Sequence, residues 1–391
     1  MTLFDNTKVA FADKSDKDLR KSYFLFSIIR NPFIMKILTY LVKIAIRFHL
    51  PIIGIIKATI YKQFCGGTTI NDSRTTIDNL WKYQIGTILD FSSEGKRKKE
   101  DFIHAKNEII ATIIKAKELK SIPFAVFKPT GIVQFSILEK LSANQKLNQE
   151  EQIEKKEFLL RMNEICATTS RNKVPLFIDA EESWIQSAID DIVKQMMRKY
   201  NSKKAFIFNT IQMYKKDRIV YLKELFADAK NLNYFLGLKL VRGAYHEQEV
   251  ERAMNLNYPC PVHTKKEDTD RDFNLSQKFC VEHIDRISFC SGTHNEESST
   301  FLVQLIKEHN IDINDERIFF SQLLGMSDHI SYNLAKDGYN VAKYVPYGPI
   351  KNVTPYLIRR AEENTSISGQ INRELKNIIK ERRRRNQLHS N

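Results

Sequence analysis

Lys239-Leu240-Val241-Arg242-Gly243-Ala244-Tyr245-His246 decides the fold, because an apolar run ends there in a cluster of charged and aromatic groups. Residues 236–241 are apolar enough for a buried strand, and Arg242, Gly243 and Tyr245 follow where a strand gives way to a loop. In a barrel of eight parallel strands the active site is built at the C-terminal strand ends, so polar groups just past an apolar run point to chemistry more than to stability. The rest of the chain repeats the arrangement. Short apolar runs occur at 87–91, 122–127, 174–178, 205–208, 287–290, 317–320 and 341–345, with helical stretches between them. At or just after the ends of the eight runs stand Asp90 and Glu94, Lys128, Asp179, Asn209 and Gln212, Arg242 and Tyr245, Thr293 and His294, Gln322, and Tyr344. Eight strands alternating with helices predict an α/β fold, a (β/α)8 TIM-like barrel.

A barrel of about 250 residues leaves room in 391 for flanks. We expect an α-helical N-terminal extension over 1–80, the barrel over 81–368 and a basic C-terminal helix or tail over 369–391. Five cysteines, an odd number with no Cys-x-x-Cys pair, favour neither a disulfide framework nor a zinc ribbon and fit a reducing cytoplasm. The N-terminus lacks the pattern of a signal peptide. Residues 33–60 are apolar, but Lys36, Lys43, Arg47 and Lys57 interrupt them, so no run reaches the roughly 18 residues of a membrane span. Two readings of that segment stay open: an extension packed on the barrel, or amphipathic helices lying peripherally on an anionic membrane, at its inner face. The net charge of +14 and the arginines at 382–385 come without a nucleic-acid recognition motif. A solvated basic tail and no nucleic-acid partner are therefore expected. None of the 13 glycines forms a Gly-x-Gly-x-x-Gly or P-loop pattern, and His246-Glu247 lacks the second histidine of a zinc site, so no metal is expected.

The chain resembles the proline dehydrogenase family, flavin-dependent barrel enzymes that oxidise L-proline to Δ1-pyrroline-5-carboxylate. The resemblance rests on segments in the family's order between about residues 85 and 365. They are Phe127-Lys128-Pro129-Thr130, Phe177-Ile178-Asp179-Ala180-Glu181, Asn209-Thr210-Ile211-Gln212-Met213-Tyr214, Lys239 to Tyr245, Gly292-Thr293-His294-Asn295, Gln322-Leu323-Leu324-Gly325-Met326, Tyr344-Val345-Pro346-Tyr347-Gly348 and Pro355-Tyr356-Leu357-Ile358-Arg359-Arg360-Ala361-Glu362-Glu363-Asn364. It implies FAD held non-covalently across the C-terminal mouth of the barrel, hydride transfer to flavin N5, and electrons passed to a membrane quinone. It also implies that the product goes to a separate pyrroline-5-carboxylate dehydrogenase. The alternative within the same resemblance is a hydroxyproline dehydrogenase.

Carried over residue by residue, the resemblance gives Arg359 and Arg360 as the clamp on the substrate carboxylate. Planar five-donor guanidinium groups suit that anion. Lys128 adds a second cation, and Asp179 supports the network of Tyr344 and the arginines; a helix N-cap is the competing role for Asp179. Glu94 pairs with the clamp, while Tyr245, Leu323, Tyr344 and Tyr356 wall the substrate pocket. On the cofactor side the resemblance places Gln212, Lys239, Arg242, Gly243, Ala244, Thr293, His294, Asn295 and Gln322. Glu363 joins them, four residues past Arg359 and able to orient it across one helical turn. Lys239 departs from the arginine that many relatives carry near flavin N5, which keeps the charge and loses bidentate geometry.

Overall fold

The computed structural model describes residues 3–31, 33, 60–92, 98–354, 356–357 and 368–389. Its eight strands are β1 (Ile85–Phe91), β2 (Phe124–Phe127), β3 (Leu176–Ile178), β4 (Ile207–Gln212), β5 (Leu236–Val241), β6 (Ile287–Gly292), β7 (Ile318–Leu323) and β8 (Val341–Tyr347). In that order they close a barrel, and the pairs from β1 through β7 are parallel. The (β/α)8 fold is therefore as expected. By contacts the chain divides into two compact units, 88–321 and 1–87 with 322–391.

The strand limits differ from the apolar runs for two physical reasons. β2 and β3 begin only after Pro123 and Pro175, residues with no N–H to give to a ladder. β4, β6, β7 and β8 instead run on past their apolar cores, where buried polar side chains find partners within the fold. On β4, for example, the buried Asn209 amide donates to Asp190 Oδ1 at 3.0 Å. Gln212 and Gln322 are thus strand residues, and Tyr344 sits within β8.

In the 88–321 unit, four phenylalanines from different strands meet inside the barrel. Phe124 stacks on Phe177 at 4.2 Å between centroids, and meets Phe208 and Phe319 edge-on at 5.5 and 4.8 Å. Gly237 pairs with Phe208 in register and leaves the room this cluster needs. A Cβ at Gly237 would lie 2.6 Å from the Phe208 ring and 2.5 Å from the Ile207 carbonyl oxygen. Gly237→Val is therefore expected to destabilise the protein by about 1–3 kcal/mol, as overpacked cores do. A thermal melt at unchanged midpoint would show that the floor can yield.

In the other unit, the helices Asp16–Ile29 and Ser368–His389 share one apolar cluster that includes Leu19, Phe26, Ile29, Ile371, Leu375 and Ile378. Ser15 and Asp18 form a capping box that fixes where the first of them starts. The C-terminal segment is not the solvated tail expected from its charge. Ile371, Leu375 and Ile378 fall on one helical face, and two of the four arginines reach back to the N-terminal residues. Arg385 donates to the carbonyls of Phe11 and Lys14 and pairs with Asp16 at 2.9 Å, while Arg382 lies over the Tyr23 ring. The described part of the N-terminal extension is packed; residues 34–59, with the four interrupting cations, lie outside the described residues. Among the described residues no helix is long and apolar enough to cross a membrane.

Candidate active site

Within the 88–321 unit, the ends of β1, β2 and β3 and the middle of β5 bring four charges together. Asp179 directly follows β3, and its backbone N–H still donates to Phe127 O at 3.0 Å, so the sheet itself aims the side chain. Lys239 Nζ donates to Asp179 Oδ1 and lies over the Phe177 ring at 5.4 Å from its centroid. Lys128 Nζ stands 3.2 Å from Asp90 Oδ2 and 3.8 Å from Asp179 Oδ2. Asp90, Asp179 and Lys239 are buried at 2%, 8% and 5% exposure, so each charge depends on its neighbours for stabilisation. The N-cap role for Asp179 is excluded, since Glu182 occupies the cap of the helix Ser183–Tyr200. Asp90, which the sequence marked at a strand end without a role, joins the cluster.

Glu181 is a residue the sequence reading passed over. Its carboxyl accepts from Thr130 N at 2.9 Å and from the Thr130 hydroxyl. Its own backbone is held at both ends: the N–H donates to Gln186 Oε1 at 2.8 Å, and the carbonyl accepts from Gln212 Nε2 at 2.7 Å. Burial pushes the Glu181 carboxyl up to about 8, against the pull of its hydrogen bonds from Thr130.

The expected cofactor-side residues of this unit form a second group. Gln212 Oε1 accepts from Ala244 N at 3.2 Å, tying β4 to the Gly243-Ala244 loop. Gly243 has φ +138, and a Cβ there would lie 2.5 Å from the Tyr214 ring, so only glycine fits. Both Gly243 and Ala244 are exposed, whereas Tyr245 is half-buried. Arg242 donates to Asp270 Oδ1 at 2.6 Å, to Ser298 Oγ at 2.8 Å and to the Thr293 hydroxyl, and stacks over Phe273. Burial lowers its pKa while Asp270 pulls the other way. Asp270, also missed in the sequence, pairs with Lys266 as well. Asn295 spends its side-chain oxygen capping the helix Glu296–Glu308 by accepting from Ser298 N at 2.8 Å, and His294 beside it is half-buried.

Gln322, Leu323, Tyr344 and Tyr356 belong to the other unit. There Gln322 Oε1 accepts from Ser331 Oγ at 2.7 Å, and the Tyr344 carbonyl accepts from Leu324 N at 2.9 Å. Leu323 is half-buried, whereas Tyr344 and Tyr356 are buried. In the same unit Lys343, fully buried, pairs with Asp328 at 2.8 Å. Glu94, Arg359, Arg360 and Glu363 lie outside the described residues.

Comparison with known proteins gives this constellation its context. A profile of the proline dehydrogenase family matches residues 73–373. "Proline dehydrogenase 1, mitochondrial" of Dictyostelium discoideum is 34% identical over 379 residues, covering 86% of this chain and 66% of its own length. Hydroxyproline dehydrogenase of Xenopus laevis is 30% identical over 364 residues, covering 84% and 78%. The crystal structure of proline utilization A from Bdellovibrio bacteriovorus, inactivated by N-propargylglycine, superposes with a TM-score of 0.73 at 18% identity, over 94% of this chain and 39% of that one. That likeness carries the fold. The profile spans most of the sequence and the paired lysines and aspartates fall inside it, so the chain belongs to the proline dehydrogenase family.

Proposed function

We propose that the protein oxidises L-proline to Δ1-pyrroline-5-carboxylate with FAD as cofactor and a membrane quinone as electron acceptor. The observation that carries this reading is the set of buried Asp90, Asp179 and Lys239 with half-buried Lys128, gathered from β1, β5 and the ends of β2 and β3 in a chain of this family. The residues on the cofactor side fit a flavin: Lys239 and Arg242 are cationic, Gln212 is an amide, and the exposed Gly243-Ala244 backbone allows close approach at a position where a Cβ has no room. With Thr293, His294, Asn295 and Gln322 they would hold it. Held there, it would supply the redox chemistry, a two-electron acceptor for the hydride lost from the ring carbon next to nitrogen.

The protein's own part is alignment and charge. Arg359, Arg360 and Lys128 hold the substrate carboxylate, Tyr245, Leu323, Tyr344 and Tyr356 wall the ring, and Glu94 and Glu363 pair with the arginines. Holding a donor carbon at near-attack distance is worth several kcal/mol of barrier. The imino acid product then passes to a separate dehydrogenase. In this reading the enzyme is cytoplasmic and meets the inner face of a membrane through residues 33–60 and their interspersed cations.

The hydroxyproline reading is kept because a relative at 30% identity bears that name. An anaerobic titration of the purified protein separates the two. The expected result is a yellow protein whose flavin band bleaches with L-proline and much less with trans-4-hydroxy-L-proline. A folded, colourless preparation that takes up no FAD would refute the cofactor assignment, and equal bleaching by both substrates would favour the alternative.

A further inference from the structure

We propose that Glu181 is a positioning residue, clamping the turn after β2 so that the Lys128 ammonium stays on Asp179 and Asp90. The inference rests on the proposed proline reading and deepens it. Lys128 is the N-cap of the short 3-10 turn Pro129–Gly131, whose own hydrogen bonds are few. Thr130, the middle residue of that turn, gives both its N–H and its hydroxyl to the one carboxyl of Glu181, 51 residues away in sequence. A two-point grip of this kind fixes orientation as well as distance.

Glu181 can impose that geometry because it is itself fixed. The Gln186 and Gln212 bonds restrain its backbone on either side, and Gln186 is in turn held by Asp190 Oδ1 at 2.8 Å. Glu181 also lies two residues from Asp179, so a single rigid loop sets both the carboxylate that receives Lys128 and the clamp that presents Lys128 to it. The Glu181 carboxyl spends its hydrogen bonds on Thr130 and feels Lys128 only through a weaker Coulombic pull, so its grip on Lys128 runs mainly through the turn. Burial raises the pKa of this carboxyl, and both Thr130 bonds pull it the other way, as hydrogen bonds accepted by a carboxylate do.

The test is a double-mutant cycle between Glu181 and Lys128 on the flavin-loaded protein, read as kcat and KM for L-proline. Glu181→Ala is expected to lower kcat/KM about tenfold to a hundredfold, the scale of a misplacement near 1 Å. In a Lys128→Met background the same change is expected to cost less than about threefold, since its target is gone. Glu181→Gln, whose amide can accept from Thr130 N and share a hydrogen bond with the Thr130 hydroxyl, is expected to restore most of the activity. If Glu181→Ala does not fold, Thr130→Val removes the hydroxyl leg alone and runs the same cycle. Losses that multiply in the double variant, or Glu181→Gln behaving like Glu181→Ala, overturn the inference. Wild-type protein that turns over no proline sinks the functional reading and the inference with it, whereas turnover with multiplying losses sinks the inference alone.

Discussion

Asp179→Ala is expected to destabilise the protein by about 3–5 kcal/mol and to lower kcat/KM for proline by ~10²-fold or more. The carboxylate receives Lys239 on one oxygen and stands 3.8 Å from Lys128 on the other, and its removal takes the counter-charge from two cations at once. Lys239 is 5% exposed, so water cannot replace what is lost. The stability and activity effects separate in a second variant. Asp179→Leu combined with Lys239→Met swaps a buried ion pair for apolar groups, a change that is often neutral or stabilising. That double variant is expected to recover most of the stability in urea denaturation and none of the activity. If Asp179→Ala costs under about 1 kcal/mol, the pair is not the stabilising element described here. If the double variant regains turnover, the two residues serve the fold alone.

Much of the barrel was legible because its strands are buried on both faces and read as continuous apolar runs, and all eight lie where those runs place them. What stayed hidden is non-local. Glu181 lies in a quoted family segment, yet its task is defined by Thr130, on the far side of two intervening helices and a strand. No periodicity carries that information. Asp90 was visible as a polar strand end, but its role comes from Lys128 in the neighbouring strand's loop. At the C-terminus a helix was among the expectations, and it is its packing that charge hides: a run of four arginines outweighs three aliphatic residues upstream whose spacing gives them a common face. Asn295 shows the reverse case, in which a residue placed on the cofactor side by resemblance also does the ordinary work of a helix cap.

Arg359→Met and Arg360→Met are each expected to raise the proline KM strongly and to lower kcat/KM about 30-fold or more, with FAD still bound. The clamp assignment comes from the family resemblance, and the described cluster gives it a physical reason. Lys128 is the other cation assigned to the carboxylate, but two lysines and two aspartates carry no net formal charge together. Lys128 shares its ammonium with Asp90 and Asp179, so an incoming carboxylate meets a neutral set with two like charges in it. Binding an anion there demands further positive charge, and bidentate guanidinium groups supply it with the right geometry. Losing one partner of such a charge-assisted pair in an enclosed site costs about 2–5 kcal/mol, which sets the size of the expected loss. The effect is expected to fall on substrate binding, because the proposed flavin side draws on Lys239, Arg242 and Gln212 instead. Steady-state kinetics with L-proline, alongside the flavin-to-protein absorbance ratio of each variant, decide the matter. Unchanged kinetics in both variants would remove the clamp and leave the carboxylate to a cation not yet identified, whereas loss of flavin would move the arginines to the cofactor side.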